Sequence, residues 1–481
     1  MTFEPVTRQV RAAVLRYGTR VALNEVRDGV THLTTYSQLG RRSTQHVAAL
    51  RDVFADLDVA AGGPPTCAST GPQESRYVVV AGDGPDALIA ELAVLAIGAI
   101  AVPVTTLDCA TLRELRAEGI DPAVGFAAAP AGDVDIVCLP IAPTILFADT
   151  PARPTLTPES PAILLRSPGG DHVMLTHGEL AAGVASLGAL LPLDPGQRQA
   201  VHLPDSPAAA RGFAWHALTQ GAQHCHVRDA AQLPALRARV VVVDVDHVPS
   251  SADLGRVPDL DGRNDLDDLD GLDLDPLDPD ARDDADLFDR DDAEAHRGPD
   301  GTGASAGASN PTVEGRRAGV RRRPQLPRID LRGHARRFGL RVERDRARGV
   351  RQSWLVRTTN GVLEATILAK DRGALGHPQV VLCCGERALP DEVSDVYFAA
   401  GRAIYQAWTT PHAVAPFAAN VPARIRFGTL GTARPGAVLN QETTATGPIV
   451  RAEAPWSPGP VALPGHLDAD GYVVPSGTPS A

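Results

Sequence analysis

Tyr77–Val104 narrows the folds open to this chain more than any other stretch. It opens with Tyr77-Val78-Val79-Val80-Ala81, runs into a helix-forming segment over Asp86–Ile97, and returns to β-rich residues at Ile100–Val104. A β-branched run without polar alternation suits a strand buried on both faces of a parallel sheet. Strand, helix and strand at this spacing make a βαβ unit, which commits the chain to an α/β architecture.

The alternation extends from residue 1 to about residue 230. Val6–Tyr17 carries Val10, Val14 and Leu15 at helical spacing, and Tyr36–Leu50 continues an amphipathic pattern. Short strands are expected at Val134–Leu139, Ala162–Leu165, Ala200–Leu203 and His224–Val227, with helices over Leu180–Leu191 and Phe213–Gln220. At 481 residues the chain is long enough for two or three domain-sized units, or for one large core with subdomains.

The pattern breaks after Val240–Asp244. Roughly half the positions from Asp259 to Asp292 are Asp, and an Arg-rich stretch follows from Arg316 to Arg351. Such charge density buries too little apolar area to offset chain entropy, so disorder is expected. Globular texture resumes near Ser353. Helices are expected over Gly361–Lys370 and Val393–Tyr405, with a strand at Gln379–Cys383. From Ala413 onward, short strands and frequent Pro and Gly predict a small β-rich subdomain.

The net charge of −12 argues against nucleic acid as a partner of the whole protein. The six cysteines form no CxxC pair, and no apolar run has signal-peptide or membrane-spanning character, so a cytoplasmic, membrane-free protein is expected. Asp268-Leu269-Asp270-Gly271 imitates part of a calcium loop, but Leu266 stands at its first position and no Glu at its twelfth. No metal ligand set is assigned.

Several segments, in one order, carry a resemblance. Val173-Met174-Leu175-Thr176-His177 is similar to the end of the phosphate loop of adenylate-forming enzymes, the acyl-CoA synthetases and peptide-synthetase adenylation domains. Leu33–Leu39 resembles that family's L-T-Y-x-x-L opening, and Leu92–Val104 its L-A-x-L-x-A-G-x-x-x-V-P segment. Leu382–Pro390 resembles G-G-E-x-L-P, Gly428–Gly436 the G-x-x-G-x-P-x-P-G turn, and Asp468–Tyr472 the D-x-D-G-Y turn. The resemblance covers about residues 30–245 and 353–478.

The resemblance implies ATP and magnesium as cofactors, a small carboxylic acid as substrate and a carrier protein as a further partner. Carried over residue by residue, it places Ser167, Gly169, Gly170 and Thr176 at the phosphates. Gly385 and Glu386 come from the G-G-E motif, and Trp408, Thr409, Thr410 and His412 stand where the family has Y-G-x-T-E.

The chain departs from the family at several of these points. The loop has lost most hydroxyls, and Asp171 replaces its Lys; a carboxylate there repels triphosphate. Trp408 can take the stacking role of the Tyr, but His412 replaces the magnesium-binding Glu, and a neutral imidazole is a poor magnesium ligand. Leu463 stands where an Asp would hold the ribose, and no counterpart of the family's C-terminal domain with its catalytic Lys is expected within these residues. No catalytic residue can be assigned.

The fold expected is α/β, an acyl-CoA synthetase-like N-terminal domain of two α/β subdomains plus a small β-rich subdomain, with a disordered charged insertion. The boundaries expected are 1–245 and 351–412 for the core, 246–350 for the insertion, and 413–481 for the β-rich part and tail. The function expected is that of a carboxylate-activating ligase with impaired or lost adenylation. The alternatives are a non-catalytic binding or scaffold protein in a biosynthetic pathway, and polyanion binding through the Arg-rich insertion.

Overall fold

The computed structural model describes residues 3–60 except 28, 76–141 except 130, 131 and 133, and 154–248 except 167–169. It further describes 378–476 except 391, 392, 395, 396, 398–402 and 422–423, with single positions at 338, 342, 353 and 356. Two compact units divide the chain, residues 1–257 with 331–481, and residues 258–330. The second unit, most of the charged insertion and the helix expected over Gly361–Lys370 lie outside the described residues.

The first half runs α1 (Val6–Tyr17), β1 (Val21–Arg27), β2 (Val30–Thr35), α2 (Tyr36–Ala60), β3 (Tyr77–Ala81), α3 (Pro85–Ala96) and β4 (Ile100–Val104). Next come α4 (Cys109–Ala117), β5 (Val124–Ala127), β6 (Val137–Pro140), β7 (Pro161–Arg166), β8 (His172–Thr176) and α5 (His177–Leu190). Then follow β9 (Arg198–His202), α6 (Pro207–Thr219), β10 (Gln223–His226), α7 (Leu233–Leu236), β11 (Val240–Asp244), β12 (Val380–Gly385) and β13 (Ala403–Trp408). The short strands β14 (Ala418–Ala419) and β15 (Thr432–Ala433) precede β16 (Val438–Thr444), β17 (Gly447–Glu453), β18 (Val461–Leu467) and β19 (Val473–Pro475).

These strands build three sheets. The six-stranded sheet has the order β6-β5-β3-β4-β7-β8, parallel except for the antiparallel edge strand β8. The nine-stranded sheet has the order β15-β14-β13-β12-β11-β9-β10-β1-β2. Its centre from β13 to β1 is parallel, and antiparallel strands close both edges. Strands β16 to β19 form a separate antiparallel meander.

The central strands are apolar on both faces because helices cover both sides of a parallel sheet. Val78, Val79 and Val80 of β3 and Val241, Val242 and Val243 of β11 are all fully buried. Helix α3 is buried on every side, as its apolar sequence requires. Tyr36, at the start of α2, is buried too. Its hydroxyl donates to the carbonyls of Ala222 at 2.7 Å and Leu218 at 3.0 Å, tying the N-terminal helices to the turn after α6.

One sequence expectation needs correcting. Val393, Ser394 and Tyr397 are helical, but the helix expected to reach Tyr405 does not, because Ala403–Trp408 is strand β13. The β-branched and aromatic residues Ile404, Tyr405 and Trp408 fit between neighbours in a sheet, and parallel pairing with β12 outweighs any local helical preference.

Candidate functional site

In parallel α/β sheets, ligands gather where strands end at their carboxyl termini. Here β12 and β13 are adjacent, with Gly385 in register with Trp408, so Gly385, Glu386 and Trp408–His412 share one edge of the nine-stranded sheet. The Thr409 amide continues the ladder, donating to the Gly385 carbonyl at 3.4 Å. Gly385 is required by packing, since a Cβ there would stand 2.8 Å from Cγ1 of Val245.

The chain then turns inward. Ala413, Val414 and Ala415 are fully buried between α5 and α6. Two glycines make room: a Cβ on Gly212 would lie 2.0 Å from the Val414 carbonyl oxygen, and one on Gly183 would lie 2.4 Å from Val414 Cγ1. Trp408 is 0% exposed, its ring centroid 5.3 Å from that of Phe417, so neither face is open to a ligand. Thr409 and Thr410 are buried behind it, with Thr409 against the Cys384 thiol.

The structure brings the phosphate-loop region to this segment. His412 feels the charge of Asp171, which follows Gly170; burial pushes the imidazole's pKa down and Asp171 opposes that shift. Gly170 adopts φ of +92°, with open space where a side chain would stand. Ser167 and Gly169 lie outside the described residues. Thr176 is committed elsewhere, as its hydroxyl accepts from the Glu179 amide at 3.2 Å while Glu179 accepts from the Thr176 amide at 2.7 Å. This is a capping box for α5.

These residues do not fit ATP and magnesium as the resemblance implies. The ring in the stacking position is sealed into the core, and a carboxylate stands beside the imidazole in the metal-ligand position. Leu463, in β18, is buried and apolar. Asp468 accepts from the amides of Asp470 and Tyr472, both at 2.9 Å, which holds its own turn together.

A cavity of about 740 Å³ opens at the same carboxyl edge, between the ends of β3, β4 and β7 on one side and β9 and β10 on the other. Its arginines are matched internally. Arg211 grips Glu91 through two hydrogen bonds of 2.8 and 3.1 Å, with Glu91 only 3% exposed. Arg228 pairs with Glu25 at 2.9 Å and Asp83 at 3.3 Å. His226 stands 3.7 Å from Asp83, and its nearness is the main influence that lowers the Asp83 pKa to about 2. Arg166 pairs with Glu114 at 2.9 Å, and His172 with Glu118. Each of the three arginines lining the cavity therefore already has a carboxylate.

Sequence reasoning missed Glu91 and Arg211. The signal was available, for Glu91 is the only charged residue between Asp86 and Ile97, and a buried carboxylate needs a partner.

Two covered parallel sheets, a cavity at their carboxyl edges and a separate antiparallel meander define the fold of the N-terminal domain of adenylate-forming enzymes. Among similar solved structures is the N-terminal domain of FACL13 from Mycobacterium tuberculosis. It is 11% identical, with a TM-score of 0.57 over 98% of this chain and 100% of that one. O-succinylbenzoate coenzyme A synthetase (MenE) from Bacillus subtilis is 10% identical, with a TM-score of 0.56 over 98% of this chain and 78% of that one. VinN, solved with L-aspartate, is 11% identical, with a TM-score of 0.56 over 98% of each chain. No protein-family model matches the sequence, and no curated protein matches it. Among the described residues, no helix is long and apolar enough to cross a membrane.

Proposed function

We propose that this chain keeps the scaffold of an ATP-dependent carboxylate-activating ligase but has lost ordinary adenylation, and binds a small carboxylic acid in the cavity between its sheets. The observation that carries this reading is the complete burial of Trp408 in the one segment that would have to hold adenine. A ring packed against Phe417 cannot stack on a base without unpacking the core. Asp171 beside His412 adds a repulsive charge where triphosphate would lie. The solved neighbours support the acid as ligand class, one being an O-succinylbenzoate coenzyme A synthetase and another a complex with L-aspartate.

The test is ATP–pyrophosphate exchange by the purified chain with a panel of carboxylic acids. No exchange above background is expected, and acid-dependent exchange would overturn the proposal. Calorimetric titration with ATP and magnesium, expected to give no saturable heat, separates loss of nucleotide binding from loss of chemistry alone.

A further inference from the structure

Adjacent strands β9 and β11 end side by side, with Val243 in register with His202. Just beyond them stand Asp205, Asp244 and His247, whose ligand atoms all lie within 4.8 Å of one another. The Asp205 amide donates to Asp244 Oδ2 at 3.2 Å, fixing the two acidic residues together. His247 comes in from the short 3-10 turn Val245–His247 that follows β11. Sequence reasoning assigned no metal ligands, although Asp-x-Asp-His directly after a four-valine strand was a readable signal.

Two further observations mark the cluster as more than an acidic patch. Asp244 is only 4% exposed, and among the described residues no arginine or lysine pairs with it. The neighbouring Arg387 goes to Asp246 instead. A carboxylate buried without a cation is costly, and a second carboxylate, Asp205, stands beside it. His247 Nδ1 is likewise buried and makes no hydrogen bond. The ring of His202 stands edge-on to that of His247, with centroids 5.0 Å apart.

We propose that Asp205, Asp244 and His247 form a binding site for a zinc-type divalent ion. Two carboxylate oxygens and one imidazole nitrogen make a donor set that suits zinc, whereas magnesium and calcium prefer oxygen alone. Bonds of about 2.0–2.2 Å bring tetrahedral zinc ligands to about 3.3 Å from one another, within a small rotamer adjustment of the arrangement here. Three protein ligands leave one position open. Asp205 also lines the cavity, so that position faces the cavity and offers the cationic charge that its paired arginines do not. The site does not depend on whether the chain adenylates.

Equilibrium dialysis of the full chain against Zn2+ tests this, with Asp244→Asn and His247→Gln as variants. The wild type is expected to hold one tightly bound zinc per chain, and each variant to bind it about 10- to 100-fold more weakly. Cobalt(II) in place of zinc is expected to give a visible absorption band that both variants lose, and excess Mg2+ should not displace the ion. Melting curves without metal guard against misfolding: Asp244→Asn should melt no lower than the wild type, because it removes a buried charge. His247 is partly exposed, so His247→Gln decides the matter alone if Asp244→Asn fails to fold. Wild-type zinc affinity in His247→Gln, or no zinc on the wild type beyond what that variant holds, would overturn the proposal.

Discussion

The carboxyl edge of the nine-stranded sheet ends in two contrasting ways. Where β12 and β13 finish, Trp408, Thr409, Thr410 and Val414 are driven into the core, and α5 and α6 close over them. Where β9, β10 and β11 finish, the edge stays open, lined by histidines, carboxylates and arginines around a cavity. One backbone plan thus supports a dry end and a charged end. The difference lies in side chains, which can change while the fold that carries them persists.

Acid is expected to have the largest effect, through histidines at both ends. Burial lowers the pKa of His177 and His216 to about 4 and that of His224 to about 3, from an ordinary value of 6.5. Folded-state values below the unfolded one mean that the unfolded chain binds more protons. Stability is therefore full above pH 6.5 and is lost as pH falls toward 4, by up to about 1.4 kcal/mol per pH unit for each histidine. Asp244 works in the opposite sense, since burial raises it to about 6 from 3.8 and it loses stability as pH rises through that window. With His46, which burial likewise lowers to about 4, four histidines outweigh one carboxylate, so the urea midpoint should fall steeply between pH 7 and pH 5. Both ring nitrogens of His216 are buried without partners. His216→Leu should flatten that fall, and an unchanged slope would remove His216 from the closed end.

Trp408→Ala is the next largest perturbation, expected to cost about 3–5 kcal/mol because it empties a fully buried site in the core. Urea unfolding measures it. A cost below about 1 kcal/mol would mean that the ring is free to swing out, and the closed end would then be closed in name only.

At the open end, Arg211→Met should cost about 3 kcal/mol by stranding Glu91, 3% exposed, without its cation. Adding Glu91→Gln should recover most of that loss. This cycle checks that the cavity's arginine is a structural partner and not a free anchor for a ligand. A single variant as stable as the wild type would return Arg211 to the pool of ligand-binding cations.

Much of this scaffold was legible in the sequence. Val6–Tyr17, Tyr77–Ala81 and Ile100–Val104 form helix and strands at the bounds their apolar periods predict. Local signals failed where the determinant was distant. Ala403–Trp408 becomes a strand because β12 lies beside it, and β12 is the neighbour of β11 although 135 residues separate Asp244 from Val380. The candidate site was less readable for the same reason. Glu91 meets Arg211 across 120 positions, and Asp205 meets Asp244 across 39. Spacing along the chain cannot reveal such pairs. The burial around Trp408 was not readable either, because it follows from Gly183 and Gly212, whose role appears only once α5 and α6 are packed.

The smallest expected effect tests where the two ends of the argument meet, at Asp171 and His412. Burial lowers the His412 pKa, and the Asp171 charge pulls it back up. Asp171→Asn removes only the second influence, so His412 should titrate at a lower pH than in the wild type, with little change in stability. The imidazole resonances in an NMR pH titration read this directly. A downward shift places the carboxylate of the phosphate-loop region against the segment that follows β13, where it repels any polyphosphate approaching that edge. No shift would separate the loop from the segment, leaving the burial of Trp408 as the sole obstacle to a nucleotide there.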